Sequence, residues 1–148
     1  MANLSNFVER LKEFMILNNL NATKLSEITD IDRSSISALL RGEHYPATKT
    51  LFAFLEIFKC SADYLLGLTD DYIEEKTYLT PTDNFGERFR FLLDKTGTTQ
   101  YALTKYKNIS GNLLYKWLHN QALPTVFNLI KLSEYMEISV DCLIGRED

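Results

Sequence analysis

The chain has 148 residues, a 45% apolar fraction and a net charge of −4, which allows one medium domain or two small ones with real apolar cores. It holds no 18-residue apolar run, so no membrane-spanning helix is expected. Its opening, MANLSNFVERLKEF, lacks the basic and then apolar stretches of a signal peptide, so a cytoplasmic location with no membrane partner is the expectation.

The first predicted helix carries Phe7, Leu11 and Phe14/Met15 at helical spacing. Ser5 stands where a side chain can accept bonds from the unpaired N–H groups at its start. A second helix spans about 22–29, with Asn21 as cap and Leu25 and Ile28 inward. A tight turn ends in an apolar plug, Ile31, and Asp32 caps a third helix that buries Ile36 and Leu39. Gly42 closes that helix, because the residue after a helix end usually needs positive φ. A loop carrying Pro46 leads to a fourth helix at about 48–59, and Ser61 caps a one-turn helix, SADYLLG, stopped by Gly67. The next segment, 70–81, reads DDYIEEKTYLTP and carries −3 of the net charge, as an acidic, solvated linker ending at Pro81 would.

The pattern then starts again. Residues 6–70 slide onto 84–148 at an offset of 78 without a gap, and 15 of the 65 pairs are identical. Chance gives roughly one match in 16. A repeat of this length is a small domain rather than a solenoid unit, so the expected domains are 1–69 and 82–148. In the second copy Asp83 is the expected first cap, and Phe85, Phe89 and Leu92/Leu93 line the first helix. The second helix starts after Thr99 with Leu103 and Tyr106 inward. Ile109 is the plug, Ser110 caps a third helix burying Leu114 and Trp117, and Asn120 takes the place of Gly42. Pro124, a fourth helix at about 126–137 and SVDCLIG complete the copy. Nothing in either copy alternates like a strand, so the expected fold class is all-α, with five short helices per copy.

A helix, a short turn and a capped helix with small polar residues at its start form the helix-turn-helix pattern. The stretch LSEITDIDRSSISALLRG…P…L…DYLLG resembles the Cro and phage-repressor (lambda-repressor-like, Xre-type) helix-turn-helix family. The second copy, TQYALTKYKNISGNLLYKWLHN…P…L…VDCLIG, resembles it too. The resemblance implies five-helix domains that place the third helix in the major groove of double-stranded DNA. It also implies a small prokaryotic or phage-type repressor acting as a homodimer.

Base edges in the major groove are reached from the N-terminal end of such a helix. In the first copy this points to Arg33, Ser34, Ser37 and Ala38, with Arg41 on phosphate and Thr23 and Lys24 on the backbone. Family members often carry Gln at the first turn of the second helix; the first copy has Ala22 there, and the second keeps Gln100. Asn112 suits adenine, Tyr115 phosphate or stacking, and Leu113 a thymine methyl. Lys107 and Lys116 add phosphate contacts. Leu113 and Tyr115 also fit a protein-binding surface. Residues 22–46 carry a net −1, whereas 100–124 hold Lys105, Lys107, Lys116 and no acid. Phosphate contacts supply most non-specific affinity, so the first copy resembles a reader by motif and the second by charge.

The fourth helix of the first copy, Leu51-Phe52-Ala53-Phe54-Leu55-Glu56-Ile57-Phe58, is apolar nearly all round. Its own domain needs Leu51, Phe54, Leu55 and Phe58. Phe52 and Ile57, echoed by Ile130 and Tyr135, are left for an interdomain or intersubunit interface. Cys60 and Cys142 occupy apolar positions of the repeat and are expected as buried thiols; a Cys60–Cys142 disulfide is the alternative. Glu9–Arg10 and Glu87–Arg88 are expected as intradomain ion pairs. His44 and His119 stand near no nucleophile, and glycine-rich phosphate loops, HExxH and CxxC motifs are absent. The sequence therefore points away from an enzyme, a metal, a cofactor or a small-molecule ligand. It points to a sequence-specific DNA-binding transcriptional regulator with two readers per chain. The alternative is a module in which one or both copies bind protein.

Overall fold

The computed structural model describes residues 4–73 and 76–148; Glu74 and Glu75 of the expected linker lie outside the described residues. Ten helices and no strand are present among the described residues. The chain divides into two compact units, Met1–Thr77 and Tyr78–Asp148.

Unit 1 contains α1 (Leu4–Leu17), α2 (Ala22–Thr29), α3 (Arg33–Leu40), α4 (Thr48–Phe58) and α5 (Ala62–Leu65). Phe7, Leu11, Leu25, Ile36, Leu51, Phe54 and Leu65 are fully buried, and side chains of this size contribute about 1.5–3 kcal/mol each on burial. α1 packs on α3 and α5, while α2 packs on α3 and α4. Phe14 stacks on Phe58 at 5.4 Å and meets Tyr64 edge-on at 6.0 Å.

Unit 2 contains α6 (Phe85–Thr96), α7 (Gln100–Lys107), α8 (Gly111–Leu118), α9 (Val126–Met136) and α10 (Val140–Leu143). The bounds of α7 to α10 are those of α2 to α5 displaced by 78 residues. Phe89, Leu103, Leu129, Val140 and Leu143 are fully buried, and Trp117 is 1% exposed. Phe85 stacks on Phe89 at 5.4 Å, and Phe89 meets Trp117 edge-on at 6.1 Å.

The ends of the helices follow the sequence at most positions. The side chains of Asn21, Thr99, Ser110, Ser61 and Ser139 accept the backbone N–H groups of Lys24, Ala102, Leu113, Tyr64 and Cys142. Gly42 and Asn120 both have positive φ, 74° and 57°. Three expected caps fail. Ser5 lies inside α1, and Asn84 rather than Asp83 caps α6 by accepting the Glu87 N–H at 3.0 Å. Asp32 precedes α3 without capping it; its carboxylate accepts the Ser34 hydroxyl instead. Ile28 and Tyr106 point outward, at 57% and 62% exposure. The inward stripe of α2 runs through Ala22, Leu25, Ser26 and Thr29, which is the i, i+3, i+4, i+7 set, so Ile28 falls off its edge.

Arg10 and Arg88 do not serve mainly as partners of the adjacent glutamates. Arg10 donates to the Tyr64 and Thr69 carbonyls and pairs with Asp70 at 2.7 Å. Arg88 donates to the Cys142 and Glu147 carbonyls. Cys60 and Cys142 are buried and free. The segment expected as a solvated linker has structured ends. Tyr72 packs on Phe14 and Tyr64 at 6.1 and 5.1 Å, Leu79 donates its N–H to the Arg146 carbonyl, and Thr82 donates to Ile144.

Candidate nucleic-acid interface

α2 and α3 are joined by a turn that the sequence specifies residue by residue. Asp30 ends α2 with φ 58°, a left-handed conformation that short polar side chains tolerate best among non-glycine residues. Ser26 Oγ donates to the Ile31 carbonyl at 2.5 Å, and Thr29 Oγ1 accepts the Ile31 N–H at 3.3 Å. These bonds hold the half-buried Ile31 plug and fix where α3 begins. In the corresponding turn Asn108 has φ 55°, and Ile109 is 1% exposed.

The turn leaves the first turn of α3 facing solvent. Arg33 and Ser34 are exposed, whereas Ser37 and Ala38 are half-buried. Thr23 and Lys24 are exposed on the first turn of α2, the helix packed against α3. Arg41 follows α3 and donates from Nε to Glu43 at 2.6 Å, with both side chains about half exposed or more. An ion pair this exposed is weak.

On unit 2, Gln100, Asn112 and Tyr115 are exposed, and Leu113 and Lys116 are half-buried. Tyr115 stacks on His119 at 4.0 Å, and His119 Nδ1 lies 2.9 Å from the Tyr115 carbonyl. Lys107 is half-buried, its ammonium 5.6 Å from the Tyr135 ring. Lys105, which the sequence offers only through the charge of 100–124 and not as a DNA contact, is exposed between Tyr101 and Tyr106, 5.6 and 5.4 Å from their rings. The only sequence signal for Lys105 is the surplus of lysine in 100–124.

α8 is held on unit 2 by a connection with no counterpart in side-chain type in unit 1. The Asn120 side-chain Oδ1 accepts the Gly86 N–H at 2.8 Å, and its Nδ2 donates to the Asn84 side-chain oxygen at 2.8 Å. A Cβ on Gly86 would overlap the Leu118 carbonyl, so glycine is what allows α6 to come this close to the end of α8. Unit 1 has Val8 and Gly42 at the equivalent positions, and a Cβ on Gly42 would meet Val8 at 3.6 Å. The side-chain bulk has changed places between the two copies.

Of the residues expected at an interface, Phe52, Ile57 and Tyr135 are half-buried. Ile130 is 6% exposed, which leaves it no surface to offer a second chain. No group of His, Cys, Asp and Glu able to hold a metal ion occurs among the described residues. No helix among them is long and apolar enough to cross a membrane.

A family model described as Helix-turn-helix matches residues 11–65. No curated protein and no solved structure matches the chain. The matched span runs from the middle of α1 to the end of α5 and contains the α2–turn–α3 geometry described above. Residues 11–65 thus carry a helix-turn-helix domain.

Proposed function

We propose that the protein is a sequence-specific DNA-binding transcriptional regulator, acting as a repressor, with one reader in each unit. The observation that carries this reading is the solvent-facing first turn of α3, with Arg33 and Ser34, inside the span that matches the helix-turn-helix family. A helix presented in this way fits the major groove, where an arginine makes bidentate contact with guanine. The recurrence of helix bounds at an offset of 78 supports a second reader on α8, with Asn112 and Tyr115 directed to DNA. The sequences of α3 and α8, RSSISALL and GNLLYKWL, differ. The preferred site is therefore asymmetric, two unlike half-sites that a homodimer doubles.

Selection of full-length protein on a random duplex pool, followed by a salt titration of the selected site, tests this. A composite motif and a steep negative dependence of affinity on salt are expected. Failure to enrich any sequence would reject sequence-specific binding. A second reading, protein binding through unit 2, draws on the exposed aromatics Tyr101, Tyr115 and Phe127, at 70%, 53% and 60%. It predicts little duplex affinity at any salt.

A further inference from the structure

We infer that the two units contribute unequally to DNA binding: the α7–α8 face of unit 2 supplies most of the phosphate-directed affinity, and four acids around α2 and α3 hold unit 1 weak. This inference rests on the DNA-binding reading above.

The acids are Glu27, Asp30, Asp32 and Glu43, all exposed. Two of them engage groups that would otherwise meet DNA. Asp32 accepts the Ser34 hydroxyl, and Glu43 holds the Arg41 guanidinium at 2.6 Å. The carboxylates thus stand against the same donors that a phosphate would use. Because α7 and α8 repeat the bounds of α2 and α3 at an offset of 78, each acid has a structural equivalent in unit 2. Glu27 becomes Lys105, Asp30 becomes Asn108, Asp32 becomes Ser110 and Glu43 becomes Gln121. Every acid is removed, and one is reversed in sign. Ser110 is turned to capping α8 through the Leu113 N–H at 3.1 Å, and Lys105 extends from an exposed position beside two tyrosine rings.

Each exposed ion pair is worth little alone. A polyanion responds to the summed field of a face, however, and that sum governs encounter and non-specific affinity. Unit 2 also loses three cations of unit 1, with Ala102, Gly111 and His119 in place of Lys24, Arg33 and Arg41, and gains Lys107 and Lys116 in place of Thr29 and Ala38. The balance moves from a net −1 over 22–46 to +3 over 100–124. Unit 1 keeps Arg33 for base reading while its acids oppose phosphate approach, so it discriminates only once unit 2 has bound. The covalent link then makes the second contact intramolecular.

The test uses the full chain and fluorescence anisotropy with a labelled duplex from about 50 to 200 mM salt, the range over which phosphate contacts dominate. Lys105→Gln with Lys116→Gln is expected to lower affinity and to flatten the log–log salt slope by about 0.9 per lysine. Asp32→Ser with Glu43→Gln, which writes unit 2 residues into unit 1, is expected to raise affinity severalfold at low salt. All four positions lie on the surface or close to it, and unchanged melting curves check that the variants fold. Wild-type binding that the lysine pair leaves unaltered, or that the Asp32/Glu43 pair fails to raise, would overturn the unequal division while leaving the DNA reading intact. Absence of wild-type binding to any duplex at low salt would overturn both.

Discussion

The Arg10 guanidinium donates to the Tyr64 carbonyl at 2.5 Å and lies 4.1 Å from the centre of the same residue's ring. One side chain thereby ties α1 to the last helix of unit 1, and it reaches on to the Thr69 carbonyl and the Asp70 carboxylate. Arg88 makes the equivalent tie in unit 2, where Cys142 replaces Tyr64 and Glu147 replaces Thr69. The arginine acts on backbone carbonyls, so the partner side chain is free to change between copies. Lysine lacks the planar fork needed to hold two carbonyls at once.

Arg88→Lys should therefore destabilise the chain almost as much as Arg88→Ala, by about 1.5–3 kcal/mol, the range for hydrogen bonds to a charged group. Thermal or urea unfolding of the full chain checks this. A lysine variant as stable as wild type would show that charge, rather than the forked geometry, is what matters.

Much of this architecture is legible in the residues themselves. Asn21, Thr99 and Ser110 mark helix starts because their short polar side chains reach a free N–H. Gly42 and Asn120 mark the ends of α3 and α8 because both tolerate positive φ. Long periodic stretches such as α1 and α6 expose their inward faces in the same way. The eight-residue α2 and α7 do not, because one inward stripe in so short a helix is not set by its few apolar residues, and Ile28 and Tyr106 turn outward. Contacts that depend on distant residues are illegible for another reason. Asn84 caps α6 while Asn120 holds it from 36 residues away, and Tyr72 packs because Phe14 and Tyr64 are already in place. At the candidate interface Arg33 and Asn112 could be found by motif, whereas the pairing of Arg41 with Glu43 is a matter of rotamer and appears only in three dimensions.

Asp141 and Arg146 form a buried ion pair at 2.6 Å, with side chains 2% and 4% exposed, and the guanidinium lies 4.3 Å from the centre of the Tyr78 ring. Removing one partner strands a buried charge. Asp141→Ala should cost about 3–5 kcal/mol, and Asp141→Ala combined with Arg146→Leu should recover most of that loss. The recovery is read by chemical denaturation of both variants. A double variant no more stable than the single one would mean that the pair is needed for more than mutual neutralisation.

Phe52 and Ile57 are half-buried on α4, beside the fully buried Leu51 and Phe54. If this face is covered by a second chain, Phe52→Lys with Ile57→Lys should shift the protein to a smaller species without lowering secondary structure. Light scattering with circular dichroism separates these effects. An unchanged mass would remove the face from any dimer interface.

The placement of α8 depends on a glycine of α6. Gly86→Ala puts a methyl group against the Leu118 carbonyl and must push α6 and α8 apart, at about 1–3 kcal/mol for overpacking. Asn120→Gly removes the bonds to Gly86 and Asn84 but keeps the positive φ accessible. The first variant should lower both stability and duplex affinity. The second should lower stability by about 1 kcal/mol for the lost hydrogen bonds, with affinity following only if α8 contacts DNA. Equal duplex affinity in all three proteins would take α8 out of the interface.

Arg33 gives the sharpest test of base reading, because it is exposed at the first position of α3. Arg33→Ala should weaken the selected site by about 1–3 kcal/mol and relax preference at a single base pair, the behaviour of a lost bidentate contact to guanine. A phosphate contact would behave differently: affinity would fall on every sequence alike, and the salt slope would flatten by about one unit. Repeating the selection with the variant and titrating both proteins against salt distinguishes the two. A variant that selects the wild-type motif unchanged and loses only salt dependence would assign Arg33 to the backbone. Base reading by unit 1 would then fall to Ser34 and Ser37.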